Sequence, residues 1–290
     1  MESKKIAVFG DSILDSYTYY LSNRLSPEAP VPVIEHEKRE YFPGGAALTS
    51  YKLATYNNTV DLYTQIGADD IGDILKEKLA KINIFNFASK SYSTILKNRI
   101  IVNNKYYLRE DSEVYLEHNA NNKIIQKFKE NISKYKAVLF IDYKKGYFNE
   151  NLFNELRNLC IQKDIKIFLD PHVDNLFNFS GINYIKPNLL ESRKITGKNN
   201  VRSALRELES KYNTTPIITL GAYGSVTIID TKVVYSKTYK TKFVDSSGCG
   251  DIFFATFVDS IIKNKTLFES LNTGVKKASE SCEFFGSIEN

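Results

Sequence analysis

A chain of 290 residues, 42% hydrophobic and 25% charged, has the balance of an ordinary globular protein and enough apolar mass for a sizeable core. This excludes a disordered, collagenous or fibrous chain, and no apolar run approaches the roughly 20 residues needed to span a bilayer. The net charge of +5 comes from 39 Lys and Arg against 34 Asp and Glu, with the lysines scattered through Asn-rich segments, so neither nucleic acid nor a membrane is an expected partner.

In chain order, Ile6-Ala7-Val8-Phe9 reads as a buried strand, too short for the core of a signal peptide. Ser12 to Phe42 holds Pro27, Pro30 and Pro32 and a short apolar alternation at Val31 and Val33. Ala46 to Tyr56 reads as a helix, Val60 to Ile66 as a strand and Ile71 to Lys81 as a helix. Thr94 to Glu117 alternates apolar and polar residues like exposed antiparallel strands. Strands at Ala137 to Ile141, Ile165 to Leu169 and Ile217 to Leu220 then alternate with helices at Glu150 to Gln162, Val201 to Lys211 and Asp251 to Lys263. The alternation predicts an α/β layered sandwich with a mostly parallel sheet, whose ligands bind at the carboxyl ends of the strands. The two stretches outside it, about 12–42 and 94–117, predict a small β sheet placed as a lid. No Gly/Ser linker or repeat divides the chain, so residues 1–290 are expected to form one domain. Cys160, Cys249 and Cys282 are too few and too scattered for a disulfide framework or a zinc cluster, and the cytoplasm is the expected compartment.

Three segments carry candidate chemistry. In Asp245-Ser246-Ser247-Gly248-Cys249-Gly250-Asp251 the glycines open a helix, where free N–H groups and the helix dipole favour an anion. Asp251 in the first turn is placed to take a hydroxyl proton beside that anion, the pairing that phosphoryl transfer needs. The alternative is an ordinary Gly-rich loop with Asp251 as a cap. Gly44 and Gly45 open another helix, either as a close backbone approach to a ligand or as a plain junction. Asp11 and Asp15 follow the first strand, where carboxylates can accept sugar hydroxyls or serve turn chemistry.

Taken together, Gly10-Asp11 with Asp15, Gly44-Gly45-Ala46-Ala47, Pro187-Asn188 with Glu191, Gly221 with Gly224, and Gly248-Cys249-Gly250-Asp251 resemble the ribokinase-like (PfkB) carbohydrate kinases across nearly the whole chain. Within that family, Ser22 to Val33 (Ser-Asn-Arg-Leu-Ser-Pro-Glu-Ala-Pro-Val-Pro-Val) and Asp142-Tyr143-Lys144-Lys145-Gly146 are similar to stretches of bacterial D-glycero-D-manno-heptose 7-phosphate kinases. The resemblance implies a ribokinase-like three-layer sandwich with a small β lid, and an enzyme that phosphorylates the anomeric hydroxyl of that heptose phosphate. It makes Asp251 the catalytic base and the amides of Gly248, Cys249 and Gly250 the anion hole. Asp11, Asp15, Gly44 and Gly45 would hold sugar hydroxyls, with Arg109 and Lys145 near the sugar phosphate or, alternatively, simply solvated. Asn188 and Glu191 would organise Mg²⁺ through water together with the ATP phosphates, and Thr219, Gly221 and Gly224 would line the nucleotide. ATP and Mg²⁺ are the implied cofactors, with a monovalent cation as an option, and the implied partners are a small sugar phosphate and a second copy paired through the lid. The chain ends at Asn290, which is expected to leave no room for the nucleotidyltransferase fused to some heptose kinases.

Three positions and one segment depart from the family pattern. Leu48 replaces a sugar-contacting Asn, and His172 stands where heptose kinases carry Lys. Cys249 replaces Ala, either as a reactive thiol at a helix N-terminus or as a small residue whose amide does the work. Gly274 to Ala278 lacks the usual Asn-Ala-Ala run near the adenine. A kinase for another sugar and a catalytically silent binding regulator are the remaining alternatives. A nicotinamide dehydrogenase is disfavoured because no Gly-x-Gly-x-x-Gly follows the first strand.

Overall fold

The computed structural model describes residues 5–113, 120–175 and 177–286. Strand β1 (Lys5–Gly10) is followed by two long strands, β2 (Ser12–Leu25) and β3 (Pro32–Gly45), and by helix α1 (Ala46–Thr55). Next come β4 (Val60–Thr64), α2 (Asp70–Lys78), β5 (Asn83–Asn86), β6 (Ile95–Val102) and β7 (Lys105–Ser112). The middle of the chain supplies α3 (Asn121–Asn131), β8 (Tyr135–Ile141), α4 (Glu150–Gln162), β9 (Lys166–Asp170), β10 (Tyr184–Ile185) and α5 (Leu189–Thr196). It closes with α6 (Val201–Tyr212), β11 (Thr215–Thr219), β12 (Ser225–Ile229), β13 (Lys232–Ser236), α7 (Cys249–Ile262) and α8 (Leu267–Ser281).

The larger sheet runs β13-β12-β11-β10-β9-β8-β1-β4-β5. From β5 to β11 every pairing is parallel, and β12 and β13 add an antiparallel edge. Burial on both faces explains why its strands read as unbroken apolar runs. Side-chain parity then divides the core. Ala7, Phe9, Val138 and Phe140 point to one face, where they pack with residues of α3, α4, α5 and α6. Ile6, Val8, Ala137, Leu139 and Ile141 point to the other, against α1, α2, α7 and α8. The expected three layers are present. Among the described residues no helix is long and apolar enough to cross a membrane.

The second sheet, β3-β2-β6-β7, is built from the two stretches that broke the alternation. Proline explains its shape. Pro27 and Pro30 lie in the connection between β2 and β3, and Pro32 opens β3, a position where a missing N–H costs nothing. β6 and β7 form a hairpin whose turn residues Asn103 (φ 49°) and Asn104 (φ 60°) adopt the left-handed conformation that such turns require. Positions 114–117 of the expected lid segment lie outside the described residues.

This layout brings the two sheets together at one place. β2 starts one residue after β1 ends, so Asp11 marks the junction, and β3 ends in Gly44-Gly45 immediately before α1. Asp11, Asp142, Asp170 and Lys186 lie at that junction or at the carboxyl ends of neighbouring strands.

Candidate active site

Gly248 caps α7 in the left-handed conformation (φ 73°), which a side chain would strain, and no side chain caps the helix. The Cys249 amide turns back to the Ser246 carbonyl at 3.2 Å. Of the three amides expected in the anion hole, those of Gly248 and Gly250 are thus without a partner among the described residues. Asp245 holds the loop from outside: it accepts the Ser247 amide at 3.0 Å and the Tyr17 hydroxyl of β2 at 2.5 Å. The segment is stitched to the second sheet.

Asp251, one helical position after Gly250, is buried at 3% exposure. Burial, reinforced by the nearby Asp170 charge, pushes its carboxyl up to about 7 against the bonds it receives, so it can hold or release a proton near neutrality. Tyr143 donates its hydroxyl to both Asp251 oxygens at 2.9 and 3.0 Å. Lys186 forms a buried ion pair with Asp170 at 2.9 Å. Burial opposes the Lys186 charge, but Asp170, Glu191 and Asp251 outweigh it and keep the ammonium protonated. A methyl group at Gly250 would lie 3.8 Å from Lys186 Nζ. The cation therefore faces the helix terminus that carries the free amides, and together they fit a phosphate. Neither Tyr143 nor Lys186 was assigned a site role from sequence, although Tyr143 stands in the heptose-kinase-like stretch Asp142 to Gly146. The available signal for Lys186 is its place at the end of an apolar strand, directly before Pro187-Asn188.

On the sugar side, the Asp11 carboxylate accepts the amides of Tyr143 (2.9 Å), Lys145 (3.1 Å) and Tyr147 (3.1 Å). About four lone-pair directions exist on a carboxylate, so one remains for a ligand; most of Asp11 holds the 142–147 turn in place. Asp15 binds Arg99 at 2.5 Å, a buried pair formed across neighbouring strands. Gly44 is required beside it, since a Cβ there would lie 2.6 Å from Asp15 Oδ2. The ring of Tyr143 reaches Gly45, which joins the two glycines to the Asp251 side of the site.

Arg109 is half-exposed on β7, paired with Asp111 at 2.8 Å and directly opposite Arg99 in the β6–β7 register. Asp15 and Lys97 are register partners, as are Tyr17 and Arg99, so Lys97, Arg99 and Arg109 share the face that carries Asp15. Lys145 binds Glu113 at 2.5 Å. The expectation of Arg109 and Lys145 missed Arg99 and Lys97, the two more enclosed cations of this face.

On the nucleotide side, Asn188 and Glu191 form a reciprocal capping box at the start of α5, with bonds of 2.9 and 2.7 Å. Burial and the Asp170 charge, offset in part by Lys186, push the Glu191 carboxyl up to about 7. Thr219 bridges to Asn188 across the sheet. Thr219, Gly221 and Gly224 line a pocket of about 610 Å³ together with Gly250, Phe253, Val275 and Ala278. Residues 275 and 278 occupy the segment that lacks the family's Asn-Ala-Ala run, and they present an apolar wall.

The sequence matches the model of the pfkB family of carbohydrate kinases over residues 3–290. The chain belongs to the pfkB family. It is 31% identical to the bifunctional protein HldE of Aliarcobacter butzleri over 293 residues, covering 95% of this chain and 61% of the relative. With HldE of Helicobacter pylori strain HPAG1 it shares 32% over 275 residues, covering 91% and 59%. The chain thus spans about three fifths of the length of these relatives. Among solved structures, phosphofructokinase-2 of Escherichia coli in complex with substrates and products superposes with a TM-score of 0.81 at 15% identity, over 98% of this chain and 94% of that one. Ribokinase of Thermotoga maritima gives 0.73 at 20%, over 98% and 94%. The fold is ribokinase-like, and the family to which the chain belongs is one of carbohydrate kinases.

The departures from the pfkB pattern have distinct structural outcomes. Leu48 is fully buried in α1, so this position presents a packed apolar side chain. His172 Nδ1 accepts the Asp174 amide at 3.2 Å, a local turn role. The Cys249 thiol is pushed up by its bond to Cys282 and by burial, the reverse of the lowering a helix N-terminus favours.

Proposed function

We propose that this kinase transfers the γ-phosphoryl group of ATP to the anomeric hydroxyl of D-glycero-D-manno-heptose 7-phosphate, giving the 1,7-bisphosphate. The observation that carries the reading is Asp251. It is a buried carboxyl poised near neutrality, one residue from free amides, and linked through Tyr143 to the sugar-side glycines. In this reading Asp251 takes the hydroxyl proton while the amides of Gly248 and Gly250 and the Lys186 ammonium receive the charge of the transferring group. Asp15 and the remaining direction on Asp11 orient the sugar. The second sheet acts as a lid that keeps water from the phosphoryl group. The sugar identity is supported by the heptose-kinase-like segments at 22–33 and 142–146. Lys97, Arg99 and Arg109, gathered on one face with Asp15 and Asp111, support a substrate that carries its own phosphate. Buried Leu48 is the observation that favours a different sugar.

Kinases of this family work with Mg²⁺, and the residues present fit it in one way. Glu191 is the carboxylate this reading assigns to it, with one oxygen held by the Asn188 amide. Among the described residues no group of three or more His, Cys, Asp or Glu side chains could hold a metal. That suits a cation that keeps most of its waters and is bound mainly through phosphates, where it would neutralise their charge. Glu191→Gln should raise the Mg²⁺ concentration needed for half-maximal turnover several-fold with little change in the sugar KM. An unchanged Mg²⁺ dependence contradicts the assignment.

An Arg fork grips phosphate through two charge-assisted bonds that Lys cannot copy. Arg109→Lys is therefore expected to raise the KM for the sugar phosphate about tenfold, as one such bond lost predicts, while the ATP KM stays within twofold. Equal KM values for wild type and variant would remove Arg109 from the site.

The second sheet also exposes Leu25, Val31, Tyr107 and Leu108 together with the strand edge of β7. Such an edge is usually covered, and we place a second copy there. Sedimentation at micromolar concentration should show a dimer, and Leu108→Lys should shift it toward monomer; a monomeric wild type contradicts the pairing.

A further inference from the structure

Two cysteines meet at the wall of the nucleotide pocket. Cys249 occupies the first position of α7 and Cys282 caps the end of α8, 33 residues later. Their sulfurs are 2.7 Å apart, closer than non-bonded sulfurs rest and not far beyond the roughly 2.0 Å of a disulfide. Both residues are half-buried and line the pocket, so a small oxidant can reach them. The backbone is already joined at the same point: the amides of Val244 and Asp245 donate to the Cys282 carbonyl at 2.8 and 3.2 Å. Closing the remaining gap thus needs little movement of the chain.

We propose that Cys249 and Cys282 form a reversible disulfide that controls nucleotide binding, a redox modification site built into the anion-hole helix. The Cys282 thiolate attacks one sulfur of a low-molecular-weight disulfide and expels the other half as a thiolate. Cys249 then gives up its proton to solvent and attacks the Cys282 sulfur, releasing the second half. Two protein thiols are oxidised to one disulfide while the external disulfide is reduced to two thiols. Cys282 is the better nucleophile of the pair, because the bond from Cys249 holds its thiol below the usual range, whereas the same bond and burial raise that of Cys249. The bond ties the first turn of α7 to the end of α8. The Gly248 and Gly250 amides, which must adjust around a phosphate, are then held by a covalent strut one residue away. Cys160 takes no part, since it is buried in the core of the opposite layer.

The bond itself rests on geometry alone, and its effect on nucleotide rests on the anion-hole reading. The test titrates the full-length reduced protein with oxidised glutathione and follows intact mass, peptide linkage and Mg·ATP affinity by calorimetry. The expected result is a loss of two hydrogens, a linked Cys249–Cys282 peptide, and free thiols falling from three to one. Mg·ATP affinity should fall about tenfold, as expected when the phosphate-binding amides can no longer adjust around the phosphate, and dithiothreitol should restore it. In Cys282→Ala protein the same oxidant should leave the affinity at its value before addition. Thiols that stay reduced, a glutathione adduct that never resolves, or a linked pair with unchanged affinity would each overturn the proposal, as would a loss of affinity in the Cys282→Ala protein. None of these readouts depends on the identity of the sugar.

Discussion

Asp251→Asn is expected to lower turnover by about 100- to 10,000-fold, the usual loss when a general base is removed. The fold should stand, and the direction of the stability change follows from linkage. The Asp251 carboxyl is raised from 3.8 to about 7 in the folded protein. Its contribution to stability is therefore fully present below pH 4 and is lost as pH rises through 7, where the buried group must ionise. An asparagine never ionises and can still accept the Tyr143 hydroxyl through its amide oxygen. At pH 8 the variant should unfold at the same or higher denaturant concentration than wild type, despite its lost activity. In the wild type, kcat/KM should climb with pH along a limb centred near 7. Glu191 and Asp142 also titrate there, so the midpoint belongs to the group and not to one residue. Near-normal turnover in a folded Asp251→Asn protein removes Asp251 from the mechanism.

Lys186→Met should be the most damaging single change to the fold and the chemistry together. It leaves Asp170 buried without its partner, and breaking a buried pair from one side costs about 3 to 5 kcal/mol. It also removes the cation facing the anion hole, and loss of one such stabilising group lowers kcat about 100- to 1000-fold. The two effects can be separated. In Lys186→Met with Asp170→Asn the unpaired charge is gone, so most of the stability should return, measured by urea unfolding, while turnover stays low. A double variant that regains activity along with stability shows that Lys186 acts only as a structural partner.

The parts of this molecule legible in sequence are those where one local pattern sets the outcome. Strands such as Ala137 to Ile141 lie under helices on both faces and read as apolar runs. Helix Glu150–Gln162 carries its own cap, Asn149, whose side chain accepts the Leu152 amide. Edge strand β13, two-residue β10 and β5 were missed because short or half-exposed strands bury too little to leave a pattern, and buried β12 because Ser225 and Thr227 interrupt its apolar run. Helices α3, α5 and α8 were missed for a related reason: Asn, Ser, Lys and Thr dilute their apolar stripes, although Thr266 and Glu269 form a capping box that marks the start of α8.

The site divides in the same way. Gly248, Gly250 and Asp251 are adjacent in sequence, so their chemistry is local and readable. Arg99 finds Asp15 from 84 positions away, Tyr143 finds Asp251 from 108, and Cys282 finds Cys249 from 33. Such partners are set by sheet order and helix packing, which no short motif encodes. Asp11 shows the converse. Its position at the end of the first strand was legible, but its engagement with three amides of the 142–147 turn was not.

In the proposed reaction Asp251 serves transfer to the anomeric oxygen of a heptose that already carries a phosphate. The most direct measurement offers the enzyme Mg·ATP with D-glycero-D-manno-heptose 7-phosphate, the unphosphorylated heptose, and a panel of hexose and pentose phosphates. ATP consumption is followed and the product identified by phosphorus NMR. The account predicts that the heptose 7-phosphate is used with the highest kcat/KM, that the new phosphate is on the anomeric oxygen, and that the unphosphorylated heptose is a far poorer substrate. Preference for an unphosphorylated sugar, or a new phosphate on any other oxygen, would contradict it.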